Sequence, residues 1–127
     1  MNAAHVNLLV GWVGILAGVI SGAVIGLFFH REDWAGGYAS FRRRMIRLGH
    51  ISFIGIALLN FAFAVTVSQI ALSERATDVA SPALIVAAVA MPTVCFLSAW
   101  REIARRLFFI PVGAVFVAVG AVLLGWR

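Results

Sequence analysis

Residues 8–29 of this 127-residue chain read LLVGWVGILAGVISGAVIGLFF and contain no charged side chain. A helix needs roughly 20 predominantly apolar residues to cross the hydrocarbon core of a bilayer. This stretch is long enough, so its length and composition predict a transmembrane helix. It also contains glycines at a regular spacing, which indicates how that helix packs.

Three further apolar stretches follow, at about residues 50–72, 82–100 and 107–126. Hydrophobic residues make up 63% of the sequence and charged residues 12%, with a mean hydropathy of +1.04. A soluble domain has about a quarter of its residues charged, so a soluble globular protein is excluded. The predicted fold is all-α: a polytopic membrane protein in which residues 1–127 form a single transmembrane domain, a four-helix bundle with short loops.

The charged residues are concentrated between the spans. Residues 31–49 carry five arginines against two acidic residues, and residues 101–106 carry three against one, whereas residues 73–81 carry one arginine against two acids. Basic residues accumulate in the cytoplasmic loops of membrane proteins. The two basic loops are therefore expected to be cytoplasmic, with both termini on the outer side of a bacterial-type inner membrane. The same rule accounts for the net charge of +5 without a nucleic-acid partner.

The glycines of the first span recur every four residues, at Gly14, Gly18, Gly22 and Gly26. Residues four apart lie on one face of a helix, and small residues let two transmembrane helices approach closely. This glycine stripe predicts a tight helix–helix contact, either within one chain or between copies. The alternative is that the flat surface makes room for a planar cofactor or a lipid.

Two histidines lie at the predicted inner ends of neighbouring spans. His30 ends the first span and continues the glycine spacing, and His50 begins the second. Because the two spans form a hairpin, both imidazoles are expected at a similar depth, as bis-histidine haem ligation or a small metal site requires. Arginines pair well with carboxylates, and those placed to neutralise haem propionates are Arg31, Arg44 and Arg47. The alternative is that both histidines are structural residues at the membrane rim.

The same basic segment has a second interpretation. Arg42 and Arg43 lie in a short amphipathic helix predicted to lead into the second span, and Trp34 and Tyr38 precede it. Arginines beside interfacial aromatic residues are suited to anionic lipid headgroups. These four residues are therefore the predicted headgroup contacts. As a plain topology anchor, however, the cluster needs no ligand.

Asn60 lies near the middle of the second span, on a helical face that it shares with Ala64 and Ser68. Polar side chains inside membrane helices commonly hydrogen-bond to neighbouring helices, so Asn60 is predicted at a helix–helix contact. A weaker hypothesis is a small homo-oligomeric channel lined by Asn60, Thr66 and Ser68.

No aspartate or glutamate lies inside a predicted span, and no hydrolase or phosphate-binding motif is recognisable. Proton-coupled transporters usually need a buried carboxylate, so neither such transport nor stand-alone catalysis is expected. The leading hypothesis is a small inner-membrane subunit that binds haem b for electron transfer or for assembly of a larger membrane complex. The alternative is a non-redox scaffold or lipid-binding subunit. The expected partners are membrane lipid and either other membrane subunits or further copies of the chain.

Overall fold

The computed structural model describes residues 2–126, most of which are helical. The long helices are α1 (Ala3–Gly26), α2 (Phe41–Gln69), α3 (Glu74–Trp100) and α4 (Phe109–Gly125), with short 3-10 segments at Trp34–Gly36 and Glu102–Phe108. When the second 3-10 segment is included in the fourth, each helix is long and apolar enough to cross a membrane. The predicted all-α four-helix bundle is confirmed, and the chain is a multi-pass membrane protein.

Three of the helices begin at polar side chains that cap their first turn. Asn2 Oδ1 accepts the backbone N–H of His5 at 3.0 Å before α1, and Ser40 Oγ accepts that of Arg43 at 3.1 Å before α2. Ser73 caps α3 in the same way. These bonds satisfy N–H groups that have no partner inside the helix, and they fix where α2 and α3 begin.

Helices α1, α2 and α3 begin earlier than predicted. The segment 41–49 is continuous with α2, whereas the sequence predicted a separate interfacial helix before the second span. Because α3 begins at Glu74, the predicted loop 73–81 is mostly helical. In the second basic loop, residues 102–106 belong to a 3-10 segment. Capping and backbone hydrogen bonds extend a helix into polar residues that hydropathy assigns to loops.

Helices α2 and α3 lie at the centre of the bundle, since α3 contacts the other three helices and both are more buried than α1 and α4. One buried cluster joins Phe63 of α2, Leu84 of α3 and Ala118 of α4. A second cluster joins α1, α2 and α3 near the arginine-rich end, and its buried members are Ile25, Ile46 and Ala99. In α1 only 17% of the most apolar 18-residue stretch is buried, and in the fourth segment, which includes α4, the corresponding share is 11%. Helices α1 and α4 therefore offer the most surface to lipid or to a partner.

A chain of hydrogen bonds between buried polar side chains joins α1, α2 and α3. Asn7 Nδ2 donates to Asn60 Oδ1 at 2.7 Å, and Ser81 Oγ donates to Asn7 Oδ1 at 2.6 Å. Asn60 Nδ2 donates in turn to the Ile56 carbonyl at 2.9 Å. Inside a bilayer such groups have no water to bond, so this network fixes the relative height and rotation of the three helices. Asn60 lies at a helix–helix contact, as its position in the sequence indicated.

Replacing Asn60 by leucine is expected to lower the free energy of unfolding by about 1–2 kcal/mol, because the Asn7 amide loses its partner in an apolar setting. Unfolding in mixed micelles, followed by circular dichroism, measures the change. Thr66→Val is the matched control, since the Thr66 hydroxyl bonds only the Ala62 carbonyl of its own helix at 2.8 Å. Equal stability of the two variants would contradict the role given to the network.

Candidate functional site

The glycine stripe of α1 is the surface against which α2 packs. A Cβ added at Gly18 would lie 2.7 Å from Ile54 Cγ1, and one at Gly22 would lie 2.7 Å from His50 Cε1. The contact is therefore within the chain, and α2 occupies the surface that a second copy would need. No other described side chain or distant backbone atom lies within 4 Å of a Cβ built at Gly26, so the close part of the glycine contact ends before that residue.

His50 lies in the tight part of this contact. Its Nδ1 is 3.0 Å from Ser21 Oγ, and the Ser21 hydroxyl donates to the Gly18 carbonyl at 3.0 Å. The direction of the bond between Ser21 and His50 depends on which ring nitrogen carries the proton. Ser21 therefore hydrogen-bonds to the one histidine that lies between two helices in the described chain.

His30 does not share that position. It is exposed and lies in the turn residues after α1, beyond Gly26, whereas His50 lies at the level of Gly22. The reason is that α2 begins at Phe41 and not near His50, so His50 lies more than two turns inside its helix. The matched depth expected of the two imidazoles is not observed.

The residues predicted to hold haem b are spread over this end of the bundle. Arg31 and Arg44 are exposed, and Arg47 is half-buried. Within residues 2–126, no three histidine, cysteine, aspartate or glutamate side chains lie close enough together to hold a metal ion. A haem b site ligated by His30 and His50 stays a prediction, one that the separate positions of the two rings do not favour.

Arg43 differs from its neighbours, because it is only 2% exposed. Its Nη1 donates to the carbonyls of Arg31 and Glu32 at 3.3 and 3.4 Å, and its Nη2 donates to the Phe29 carbonyl at 3.4 Å. The guanidinium carbon also lies 5.4 or 5.5 Å from the ring centroids of Phe29, Trp34 and Tyr38. Arg43 thus holds the connection between α1 and α2 against the start of α2, and it is not placed to reach a headgroup as predicted.

The backbone of this connection is shaped for its path around Arg43. Ala35 has a φ of 55°, and Gly36 and Gly37 have φ values of 87° and 93°. Glycine adopts positive φ at little cost, whereas alanine there is strained. The oxygens of backbone carbonyls carry partial negative charge, and aromatic faces also attract a cation. Together these groups stabilise a buried guanidinium without a carboxylate.

The other arginines of this end reach the surface of the bundle. Arg42 Nε donates to the Ala99 carbonyl at 3.1 Å, which ties the start of α2 to the end of α3 and brings the two basic segments together. Among residues 2–126, the ion pair is that of Arg31 with Asp33 at 3.5 Å, and both side chains are exposed. The exposed or half-buried arginines are Arg31, Arg42, Arg44, Arg47, Arg101, Arg105 and Arg106. They give this end a marked excess of positive charge.

Aromatic side chains lie beside these arginines. Tyr38 is 65% exposed, and its ring centroid is 5.2 Å from the guanidinium carbon of Arg47. Trp34 stacks on Phe28 with ring centroids 5.6 Å apart. Trp100 is 65% exposed and borders a cleft of about 270 Å³ between the start of α2 and the end of α3. Arginine and aromatic side chains thus lie side by side at the arginine-rich end, and this composition is typical of the membrane interface.

The polar residues proposed to line a channel bond instead within the bundle. Thr66 Oγ1 donates to the Ala62 carbonyl and Ser68 Oγ to the Val65 carbonyl, both in their own helix. Asn60 is fully buried in its network with Asn7. The large grooves between the described helices have predominantly apolar linings. The arrangement therefore gives no support to a polar pore within one chain.

Three residues of these contacts were not apparent as such in the sequence. Asn7 lies four residues before Gly11 and seven before Gly14, on the face of α1 that carries the glycine stripe. Extending the stripe towards the N-terminus could therefore have identified it. Ser21 lies seven residues after Gly14, on the same face. Arg43 has no such signal, because which of three consecutive arginines turns inward depends on the path of the preceding connection.

No protein-family model, curated protein or solved structure matches this chain. Its function is therefore to be inferred from the arrangement of its own side chains.

Proposed function

We propose that this protein is a non-redox scaffold subunit of the membrane that binds anionic lipid headgroups at its arginine-rich end. The observation that carries the proposal is the gathering of seven surface arginines at one end of the bundle, where Arg42 joins the two basic segments through the Ala99 carbonyl. Anionic lipids attract basic residues near the cytoplasmic leaflet with about 1 kcal/mol per arginine. The positive-inside rule assigns this same end to the cytoplasmic side.

The aromatic residues support the same function. Tyr38 and Trp100 have an apolar body and a polar tip, which suits them to the depth at which headgroups lie. The contact of Arg47 with Tyr38 keeps a guanidinium at that level. A guanidinium can bind phosphate oxygens with two parallel hydrogen bonds, so a phosphate-bearing lipid is the chemistry that fits.

The scaffold part of the proposal concerns the outer helices. Because α2 covers the glycine stripe of α1, a partner subunit would contact other surfaces. Helices α1 and α4 are the least buried of the bundle, and we propose that their exposed faces are where another membrane subunit or a further copy of the chain packs. Helix α4 contains no charged side chain. A contact between α4 and a partner would therefore be apolar.

The triple variant Arg42→Gln/Arg44→Gln/Arg47→Gln is expected to lose most of its preference for anionic lipid. At about 1 kcal/mol per arginine, the apparent affinity for phosphatidylglycerol should fall at least about tenfold. Native mass spectrometry of the protein released from mixed nanodiscs counts the phosphatidylglycerol molecules that stay bound. The melting temperature in phosphatidylglycerol against phosphatidylcholine nanodiscs gives a second measure of the same preference.

Arg75→Gln is the control, since Arg75 is an exposed arginine at the opposite end of α3. It should retain phosphatidylglycerol as the unmodified protein does. If the unmodified protein retained phosphatidylglycerol and phosphatidylcholine equally, the headgroup proposal would be overturned. A Soret band that appears in protein expressed with adequate haem, shifts on reduction with dithionite and is lost in His50→Ala would overturn the non-redox assignment in favour of haem b.

A further inference from the structure

A groove between α1 and α3 lies away from the arginine-rich end and opens at the surface of the bundle, since Leu9, Val13 and Val89 in its lining are each more than half exposed. Its volume is about 410 Å³, and residues of α1, α2 and α3 line it. The lining residues Gly14 and Ala17 of α1 and Ala88 of α3 are small, which leaves space that larger side chains would fill. Pockets of a few hundred cubic ångströms with mostly apolar walls are the usual sites of small hydrophobic ligands.

One backbone group in this groove lacks its usual partner. Pro92 has no N–H, so the carbonyl of Ala88, four residues earlier, loses the hydrogen bond that a regular helix would supply. The nearby hydroxyl of Thr93 does not replace it, because it donates to the Val89 carbonyl at 2.6 Å. Ala88 lies near the middle of α3, where a bilayer offers no water. A hydrogen-bond donor at this point would therefore be stabilising.

Two aromatic rings border the same groove. Phe53 and Phe96 both line it, with ring centroids 6.1 Å apart and planes tilted by 42°. Phe53 lies at the level of Gly14, since a Cβ at Gly14 would be 3.2 Å from the Phe53 carbonyl oxygen. A flat aromatic ring in the groove would meet the edges or faces of these rings, which is a favourable arrangement.

We propose that this groove binds a membrane-soluble small molecule with a phenolic head and an apolar tail, of the hydroquinone type. The phenol hydroxyl donates to the Ala88 carbonyl, the ring lies beside Phe53 and Phe96, and the tail occupies the aliphatic part of the groove. An ordinary acyl chain fills the same space but offers no donor to Ala88. The proposal is independent of headgroup binding at the arginine-rich end, because the two sites share no residue.

Binding of para-decylphenol and of its methyl ether to the purified protein in detergent tests the proposal. The two probes have nearly the same shape, and only the phenol carries a donor. A net hydrogen bond is worth about 0.5–1.5 kcal/mol, so the unmodified protein should prefer the phenol roughly two- to tenfold beyond its preference in Pro92→Ala. The variant restores the N–H that satisfies Ala88. Taking the ratio between proteins cancels the different partition of the probes into micelles.

Ala17→Leu provides a second test, since a leucine there fills the groove. It should abolish saturable binding of both probes, whereas Val19→Leu, at a 62% exposed position of α1, should leave binding unchanged. An equal phenol-to-ether ratio in the unmodified protein and Pro92→Ala would show that the groove holds ordinary hydrocarbon chains and would overturn the proposal. Unchanged binding in Ala17→Leu would also overturn it, even if Pro92→Ala failed to fold.

Discussion

Arg43→Leu is expected to detach the connection between α1 and α2 from the start of α2. The variant removes hydrogen bonds to three carbonyls and the cation–π contacts with three rings. Bonds to a charged group contribute about 1.5–3 kcal/mol each, and the buried guanidinium of Arg43 makes all three of these bonds. We expect a loss of about 3 kcal/mol or more in the free energy of unfolding and much faster amide exchange in residues 27–40.

Hydrogen exchange followed by mass spectrometry localises the effect to that connection. Arg44→Leu is the matched control, because Arg44 is adjacent in sequence but exposed, and its exchange pattern should be unchanged. Arg43→Lys should fall between the two, since an ammonium keeps the charge but lacks the planar fork that reaches several carbonyls. Arg43→Leu with the exchange pattern of the unmodified protein would refute the holding role.

Gly18→Leu is expected to force α1 and α2 apart. A Cβ at Gly18 already falls 2.7 Å from Ile54 Cγ1, and leucine adds three more carbons in the same direction. Overpacking of a tight contact costs about 1–3 kcal/mol and more where a helix must move. We expect a loss at the upper end of this range and a weaker contact between Ser21 and His50. Thermal unfolding in detergent measures the first effect, and the His50 ring shifts in NMR spectra report the second.

Gly26→Leu is the control for this substitution on the same stripe. No other described side chain or distant backbone atom lies within 4 Å of a Cβ built at Gly26, so leucine there should be tolerated within about 0.5 kcal/mol. If both variants lost the same stability, the cost would come from replacing a glycine as such, and the close contact of α1 with α2 would not be its source.

The helices could be predicted because the bilayer imposes a simple length and polarity requirement. Residues 8–29 satisfy it without charge, and α1 does form there. The boundaries were harder, because Ser40 and Ser73 cap helices that start among charged residues. Hydropathy reports where a helix enters hydrocarbon, whereas capping decides where it begins, and the two differ by many residues in α2 and α3.

The side-chain contacts were predictable only in part. The spacing of Gly14, Gly18 and Gly22 indicated a close contact. The spacing alone does not distinguish a contact with another helix of the same chain from one with a second copy, because either helix could pack on that face. The depth of His50 followed from the true start of α2, which the sequence pattern placed later. The burial of Arg43 depends on the left-handed backbone at Ala35. The sequence does not indicate this conformation, because alanine rarely adopts it.

The network of Asn7, Asn60 and Ser81 has a consequence for how the bundle assembles. It joins α1, α2 and α3 and includes no residue of α4. The last helix is held instead by apolar packing and by the bond from the Ser73 N–H to the Gly125 carbonyl at 3.1 Å. We therefore expect α1, α2 and α3 to associate with one another without the help of α4. Helix α4 then packs against these three helices through apolar contacts. Its outward face remains exposed and available to another membrane protein.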